Sequence, residues 1–380
     1  MQQPASETKH IQQLVYTFGR IASTNRNPHF RPGTHHANDN HHQTFLLNQR
    51  DDHGVTNGTT LWLGGQVLSY YLASTLQEPS NDAYNLKDGD EKQKRRRKRV
   101  IELGSGIGLT ALVMHSMGWD VCATDVEPVL STVLHPNILL NSTSHGSDNG
   151  VSNEATARIE CRELDWMIPP EEWTWEDPNV IASSRHSSQH RQTASDDDDV
   201  LGERDIEGSK QATTTTGIKR GIVSPPYDLI ITADTLYTPE LVAPLFRTIH
   251  HLAQQSPYPS NHSSSLSTSD HQTTSPSSSS NRFSCPIYVA VERRDPQLMD
   301  RAFEECKAVW GFKVERVRTI KIRKALERAG VQWKQKAGRC KGEEENVGER
   351  EESPWDGVEI WKMRLPLSMI HGINEDLPKG

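Results

Sequence analysis

The stretch Val100-Ile101-Glu102-Leu103-Gly104-Ser105-Gly106-Ile107-Gly108 constrains this chain more than any other. A short apolar run passes into a glycine loop, and Leu109 to Met117 then carries apolar residues at helical spacing up to Gly118. Glycines at such a junction permit a tight turn and let backbone N–H groups approach a ligand closely. The pattern therefore points to a nucleotide or nucleoside cradle, with close strand–helix packing as the other use of the same glycines.

The remaining ordered segments repeat the alternation. Leu61 to Gln77 reads as a helix, notably through Leu68, Tyr71 and Leu72, and Asp120 to Asp125 as a second strand. Pro128 to Leu140 reads as a helix with proline near its first turn, and Ala157 to Leu164 as a third strand. Tyr227 to Ala233 is too apolar to face water on either side, which fits the centre of a parallel sheet. A helix over Pro239–Ala253, a fifth strand at Pro286–Val291 and a helix over Asp295–Trp310 follow. Phe312–Val317 and Val358–Met363 add two alternating strands. The expected fold class is α/β: a Rossmann-like, mostly parallel sheet of seven strands with helices on both faces.

Composition sets the limits of that domain. The hydrophobic fraction of 34 % is thin for 380 residues. Adding glycine brings it to roughly 41 %, against about 45–50 % in globular chains. The deficit is concentrated in Ser/Thr/Asp/His-rich tracts, so the chain divides into a polar, partly disordered extension over 1–57, a domain over 58–366 and a tail over 367–380. Disordered insertions are expected within the domain at 78–99, 142–157, 178–222, 254–284 and 335–353.

Five well-separated cysteines with no CxxC pair suggest neither a disulfide framework nor a cysteine zinc site, and a reducing compartment is the better reading. No run of 18 apolar residues occurs, and the start MQQPASETKH resembles no signal peptide, so no membrane partner is expected. The net charge of −8 argues against direct nucleic-acid binding. The local basic run Lys92–Arg99 reads as a nuclear signal, a phosphate patch or a solvated loop, which leaves nucleus and cytoplasm both open. His29, His35, His36, His41 and His42 cluster without helical metal-ligand spacing, and no metal is expected.

Two acids refine the ligand. The loop is GxGxG rather than the GxGxxG of dinucleotide folds, Glu102 closes the strand before it, and Asp125 closes the next. Asp125 can accept two hydrogen bonds from a ribose diol. Glu102 is awkward beside a pyrophosphate but suits the cationic ammonium and sulfonium of S-adenosylmethionine, which is the cofactor expected here.

VIELGSGIGLT, ATDVEPVL and HPNILLN together resemble the seven-β-strand methyltransferases. LWLGGQVLSYYL, RELDW, ADTLYTPELVAPLF, IYVAVERR and VEIWKM narrow the likeness to protein-lysine methyltransferase family 16, and within it to the branch called methyltransferase-like protein 22. The resemblance covers residues 58–364 apart from the insertions. It implies that Trp62 lies against the cofactor and that Glu102, Gly104, Ser105 and Gly106 cradle it. By the same likeness Asp125 holds the ribose, Asp165 and Trp166 frame the adenine, and Ala233 lines the site.

On the acceptor side the likeness places Asp234-Thr235-Leu236-Tyr237, just past the fourth strand, in the family's acid–x–x–aromatic motif. Asp234 is then expected to position an acceptor amine and Tyr237 to shield its path, with helix capping as the alternative role of Asp234. Animal relatives of the branch commonly have glutamate there. Ser224-Pro225-Pro226-Tyr227 imitates a nucleic-acid amino-methyltransferase signature but precedes the strand it would have to follow. At Glu292-Arg293-Arg294, arginine is expected either to pair with an acid near the substrate or to be solvated. The expected function is methylation of lysine in a non-histone protein by a monomer. The alternatives are a small-molecule or other side-chain methyltransferase, and a non-catalytic cofactor-binding module.

Overall fold

The computed structural model describes residues 5–18, 43–50, 57–76, 96–142, 157–185, 223–258, 283–331, 355 and 357–366. In chain order these form α1 (Ala5–Thr8), β1 (Gln13–Phe18), β2 (Gln43–Asn48), α2 (Leu63–Thr75), β3 (Arg99–Leu103) and α3 (Leu109–Ser116). Next come β4 (Asp120–Asp125), a π-helical turn (Leu130–Leu134), α4 (His135–Ser142), β5 (Ile159–Leu164), β6 (Val180–Ala182) and β7 (Leu229–Ala233). The remainder is α5 (Val242–Gln254), β8 (Ile287–Glu292), α6 (Pro296–Ala308), β9 (Lys313–Arg316), α7 (Thr319–Arg328) and β10 (Val358–Arg364).

Eight of these strands form one mostly parallel sheet in the order β6-β5-β4-β3-β7-β8-β10-β9, with β10 antiparallel to both of its neighbours. Val100, Ile101 and Leu103 of β3 and Leu229 to Ile231 of β7 are fully buried, as their unbroken apolar runs require. Full burial of each such side chain contributes about 1.5–3 kcal/mol. One core lies between the sheet and α2, α3 and α7, and the other between the sheet and α5 and α6. The chain reverses direction across the sheet between β3 and β7, so the carboxyl ends of these two strands open a crevice, the usual ligand position in such folds.

Four expectations need correction. The sheet has eight strands among the described residues, because β6 pairs with β5 through a register shift inside the tract 178–222. Three residues are too few to show a period, so β6 carried no legible signal. The extension 1–57 is not merely polar. β1 and β2 form a hairpin whose inward Tyr16, Phe18, Phe45 and Leu47 join the core, and Phe18 packs on Tyr70 with ring centroids 4.4 Å apart. The outer edge of β2 is closed by two asparagines one helical turn apart on α4. Asn137 pairs with the backbone of Asn48 and Asn141 with that of Leu46, each as both donor and acceptor. Third, α7 packs on α2 although Thr319–Arg328 carried no helix assignment.

Finally, the insertion 78–99 ends earlier than expected. Arg96 makes a bidentate pair with Asp228 at 2.9 and 3.0 Å, Arg97 lies 3.7 Å from Asp120, and Arg99 begins β3. The five clustered histidines and Lys92, Lys94 and Arg95 lie outside the described residues. No helix among the described residues is long and apolar enough to cross a membrane.

Candidate active site

A cavity of about 520 Å³ occupies the crevice, and all eleven residues singled out from the sequence line it. They are Trp62, Glu102, Gly104, Ser105, Gly106, Asp125, Asp165, Trp166, Ala233, Asp234 and Tyr237.

The loop after β3 has the backbone that its glycines permit. Gly104 has φ +66° and Gly106 φ +54°. A Cβ on Gly104 would stand 2.7 Å from Thr235 Cγ2 and 3.2 Å from the Trp166 ring, and one on Gly106 would stand 3.1 Å from the Gly58 carbonyl oxygen. Both positions thus need glycine for conformation and for room. Ser105 fastens the loop to β4. Its N–H donates to the Thr124 carbonyl at 2.8 Å, and its Oγ accepts from the Thr124 N–H at 3.1 Å. Those polar groups serve the loop's shape rather than a ligand.

Glu102 is buried and its Oε2 has no hydrogen-bond partner. Burial pushes its carboxyl up to about 8, against hydrogen bonds that favour the charged form. Asp125 accepts the Gly106 N–H on Oδ2 and the Val126 N–H on Oδ1, both at 2.8 Å. Burial raises it to about 6 in spite of those two donors. The buried Glu102, with one carboxyl oxygen unpartnered, and the partly buried Asp125 make an electronegative floor that a cation relieves.

Asp165 turns the chain back on itself by accepting the Met167 N–H at 2.9 Å, and places Trp166 edge-on to Gly104. The indole Nε1 of Trp166 is buried without a partner. Its carbonyl is held by Arg247 of α5, whose Nη2 donates to the oxygens of Trp166 at 2.8 Å and Met167 at 3.2 Å. Sequence reasoning missed Arg247, because its task depends on a loop 80 residues away.

The opposite wall is the segment entering α2. Trp62 donates from Nε1 to the Asn57 carbonyl at 2.5 Å, and the guanidinium of Arg294 lies 4.2 Å from its ring centroid. Arg294 also pairs with Glu292, while Arg293 bonds Asp300 at 2.6 Å and Glu359 at 3.3 Å. Both arginines beyond β8 are therefore engaged; neither forms an ion pair with Asp234, although the charge of Arg294 favours its ionised form. Asn57, Gly58 and Thr60 line the cavity and were not foreseen, nor was Gly64. The one available signal was the Gly64-Gly65 pair, costly inside a helix and so a mark of close approach.

Ala233 ends β7. Asp234 follows at φ +56°, the only non-glycine residue with positive φ among those described. Its Oδ2 accepts the Gly65 N–H at 3.2 Å and its Oδ1 the Glu292 N–H at 3.1 Å. Burial raises it to about 6, the Glu292 N–H opposing that shift. Tyr237 stands half exposed at the mouth. Tyr227 of the look-alike motif is buried and donates to the Val223 carbonyl at 3.2 Å, a structural role away from the cavity. No group of three or more metal-ligating side chains occurs among the described residues.

Residues 41–182 match the model of a family described as lysine methyltransferase. A bovine protein-lysine methyltransferase, METTL21E, is 29 % identical over 111 residues, a stretch that spans 29 % of this chain and 30 % of that relative. Solved structures resemble the chain loosely. Human methyltransferase 10 domain containing protein matches at 9 % identity and TM-score 0.32 over 79 % of this chain and 82 % of its own. Cofactor-bound Rv0187 from MTB matches at 10 % identity and TM-score 0.29 over 80 % and 90 %.

The cofactor is S-adenosylmethionine, and the cavity fits it. The orphaned Glu102 Oε2 suits an ammonium, Asp125 keeps lone pairs for a ribose diol, and Gly104 and Gly106 leave room that any Cβ would fill.

Proposed function

We propose that this protein transfers the methyl group of S-adenosylmethionine to the side-chain amine of a lysine in a non-histone protein, and that its nearest kin are the methyltransferase-like protein 22 branch. The observation that carries this reading is the placement of Asp234 and Tyr237 at the end of β7, on the same cavity as Glu102 and Asp125. One strand thus delivers an acid and an aromatic ring to the side of the cradle where an acceptor would enter.

When bound, the cofactor supplies an electrophilic methyl carbon. Glu102 holds its cationic end, Asp125 its ribose, and Asp165 and Trp166 its adenine, while Trp62, Ser105 and Ala233 complete the wall. The acceptor has to arrive as a free amine, because an ammonium has no lone pair. A lysine pKa of about 10.4 falls on desolvation. A charged Asp234 would oppose that fall, so its task is alignment, which supplies most of the acceleration in an in-line displacement. Tyr237 screens the path from water.

The match to the lysine methyltransferase family supports lysine as acceptor. The protein is proposed to act as a monomer. Nuclear residence rests on Lys92–Arg99, of which Arg96, Arg97, Lys98 and Arg99 contact the fold, so that any import signal falls to Lys92, Lys94 and Arg95.

The test is incubation with tritiated S-adenosylmethionine and a cell lysate, with wild type, Tyr237→Ala and Asp234→Asn compared. Label in a discrete protein band, mapping to lysine and reduced in both variants, supports the reading. Label confined to small molecules moves the protein to the metabolite class. Cofactor binding without any transfer marks a binding module.

A further inference from the structure

The strongest charge anomaly lies far from the cavity. β10 runs antiparallel, so its last residues sit at the amino-terminal edge of the sheet, beside the start of β8. There Arg364 stands directly opposite Lys313 of β9, and Lys362 opposite Glu315. Directly paired residues share a face, so three cations and one acid form a square on the side of the sheet that α7 covers. Lys321 of α7 is close enough to repel Lys362, as Arg364 does; burial is the larger cause of the lowered pKa of Lys362, and Glu315 only partly offsets the repulsion.

None of the four cationic side chains forms a hydrogen bond or an ion pair among the described residues, whereas nearby Arg316 is neutralised by Glu359 at 3.0 Å. Like charges placed directly opposite on neighbouring strands destabilise a sheet. Edge strands do use lysine to discourage pairing with other chains. That accounts for Lys313 on the outermost strand, but not for Lys362 and Arg364 on β10, which is paired on both sides. In a chain of net charge −8, a cluster of four cations around the one acid Glu315 implies an anion from outside.

Three of the four cations also rest on a ring. Lys313 Nζ is 4.9 Å from the Phe283 centroid, Arg364 5.4 Å from Tyr258 and Lys362 Nζ 5.9 Å from Tyr288. These ring faces are taken, so they offer no platform for stacked bases, and a compact anion fits better than a nucleic-acid strand. We propose that Lys313, Lys321, Lys362 and Arg364 form a binding site for a phosphate-class dianion, supplied either as free phosphate or as a phosphorylated side chain of a partner protein.

The test is calorimetry on the full chain at constant ionic strength. Inorganic phosphate, a phosphoserine peptide and the same peptide without phosphate are titrated into wild type and Lys321→Met/Lys362→Met. Wild type is expected to bind both phosphate probes and not the plain peptide, and the double variant to bind them at least tenfold more weakly. In phosphate-free buffer the variant should melt at or above the wild-type temperature, since a repulsion has been removed; this shows it folded. At least tenfold tighter binding of the phosphopeptide identifies a protein partner, and equal affinity identifies free phosphate. Three results overturn the proposal: wild-type binding no stronger than to chloride, undiminished binding in a folded variant, or capture of an RNA oligomer with neither phosphate probe bound.

Discussion

The Asp234 carboxylate caps the first turn of α2 through the N–H of Gly65. The N-cap of α2 is Trp62, which has no side-chain oxygen to offer, and the Gly65 N–H instead donates to Asp234 Oδ2 at 3.2 Å. The same carboxylate accepts the Glu292 N–H, so one side chain ties the ends of β7 and β8 to the start of α2. The alternative role weighed from the sequence was capping, and capping is what the geometry shows, although of α2 rather than of the helix that follows Pro239. Positioning an acceptor remains a proposal for the same carboxylate.

Asp234→Ala is accordingly expected to lower stability by about 1–2 kcal/mol, the usual cost of losing a cap, and to depress methyl transfer more than cofactor affinity. Asp234→Gly should recover about 1 kcal/mol of that loss, because glycine is at ease at φ +56°. Chemical denaturation of the two variants side by side checks this. Equal stability of the alanine and glycine variants would remove strain from the account.

Gly64→Ala offers an independent route to the same clasp. A Cβ there would fall 2.5 Å from both carboxylate oxygens of Asp234. The substitution should displace the carboxylate and reproduce the transfer defect of Asp234→Ala with Asp234 intact. A transfer rate like that of wild type would detach the clasp from catalysis.

The elements that were legible in the sequence are those whose register is set by their own residues. β3, β4, β7 and β8 announce themselves because an apolar run buried on both faces can be little else, and the glycine loop because its φ values exclude other residues. Ser105 was picked out as a ligand contact, yet its hydrogen bonds run to Thr124, which only the β3–β4 pairing brings near. Arg247, Gly64 and Asn57 were invisible for the same reason: each acts on a partner distant in sequence. The β1–β2 hairpin escaped notice because short strands in a polar segment rest on α2 and α4, whose asparagines close the edge.

Glu102 predicts a pH dependence. Its carboxyl stands at about 8 when no cation is beside it, so near pH 7 it is mostly protonated and must release its proton to hold an ammonium. Affinity for S-adenosylhomocysteine should rise by up to tenfold per pH unit from pH 6 towards 8 and then level. Calorimetry in buffers of different ionisation enthalpy should register proton release, and Glu102→Gln should abolish both effects. In the cofactor-free protein the same group binds more protons folded than unfolded. Its contribution to stability is therefore complete below about 4.5 and is lost as pH rises to about 8.

Asp125→Ala should weaken binding of S-adenosylhomocysteine by about 10–100-fold through loss of two hydrogen bonds to the ribose. It also frees the Gly106 N–H, so part of the loss comes from the loop. Asp125→Asn, which keeps one acceptor oxygen, should fall between. Unchanged affinity in the alanine variant would sink the assignment.

On the proposed placement of the adenine against Asp165 and Trp166, Arg247 is a positioning residue for that wall. It touches no part of the cavity itself, but two carbonyls of the Asp165–Met167 turn rest on its Nη2. Arg247→Met keeps the apolar stem and removes the donors, and should weaken S-adenosylhomocysteine by about tenfold, the worth of one charge-assisted hydrogen bond. Arg247→Lys should restore much of that, since one ammonium can reach both carbonyls. A purely structural role would lower the melting temperature of both variants and leave affinity untouched at temperatures where they are folded. Binding of adenosine alone should fall in parallel with the full cofactor product, because the wall that moves is the one facing the base.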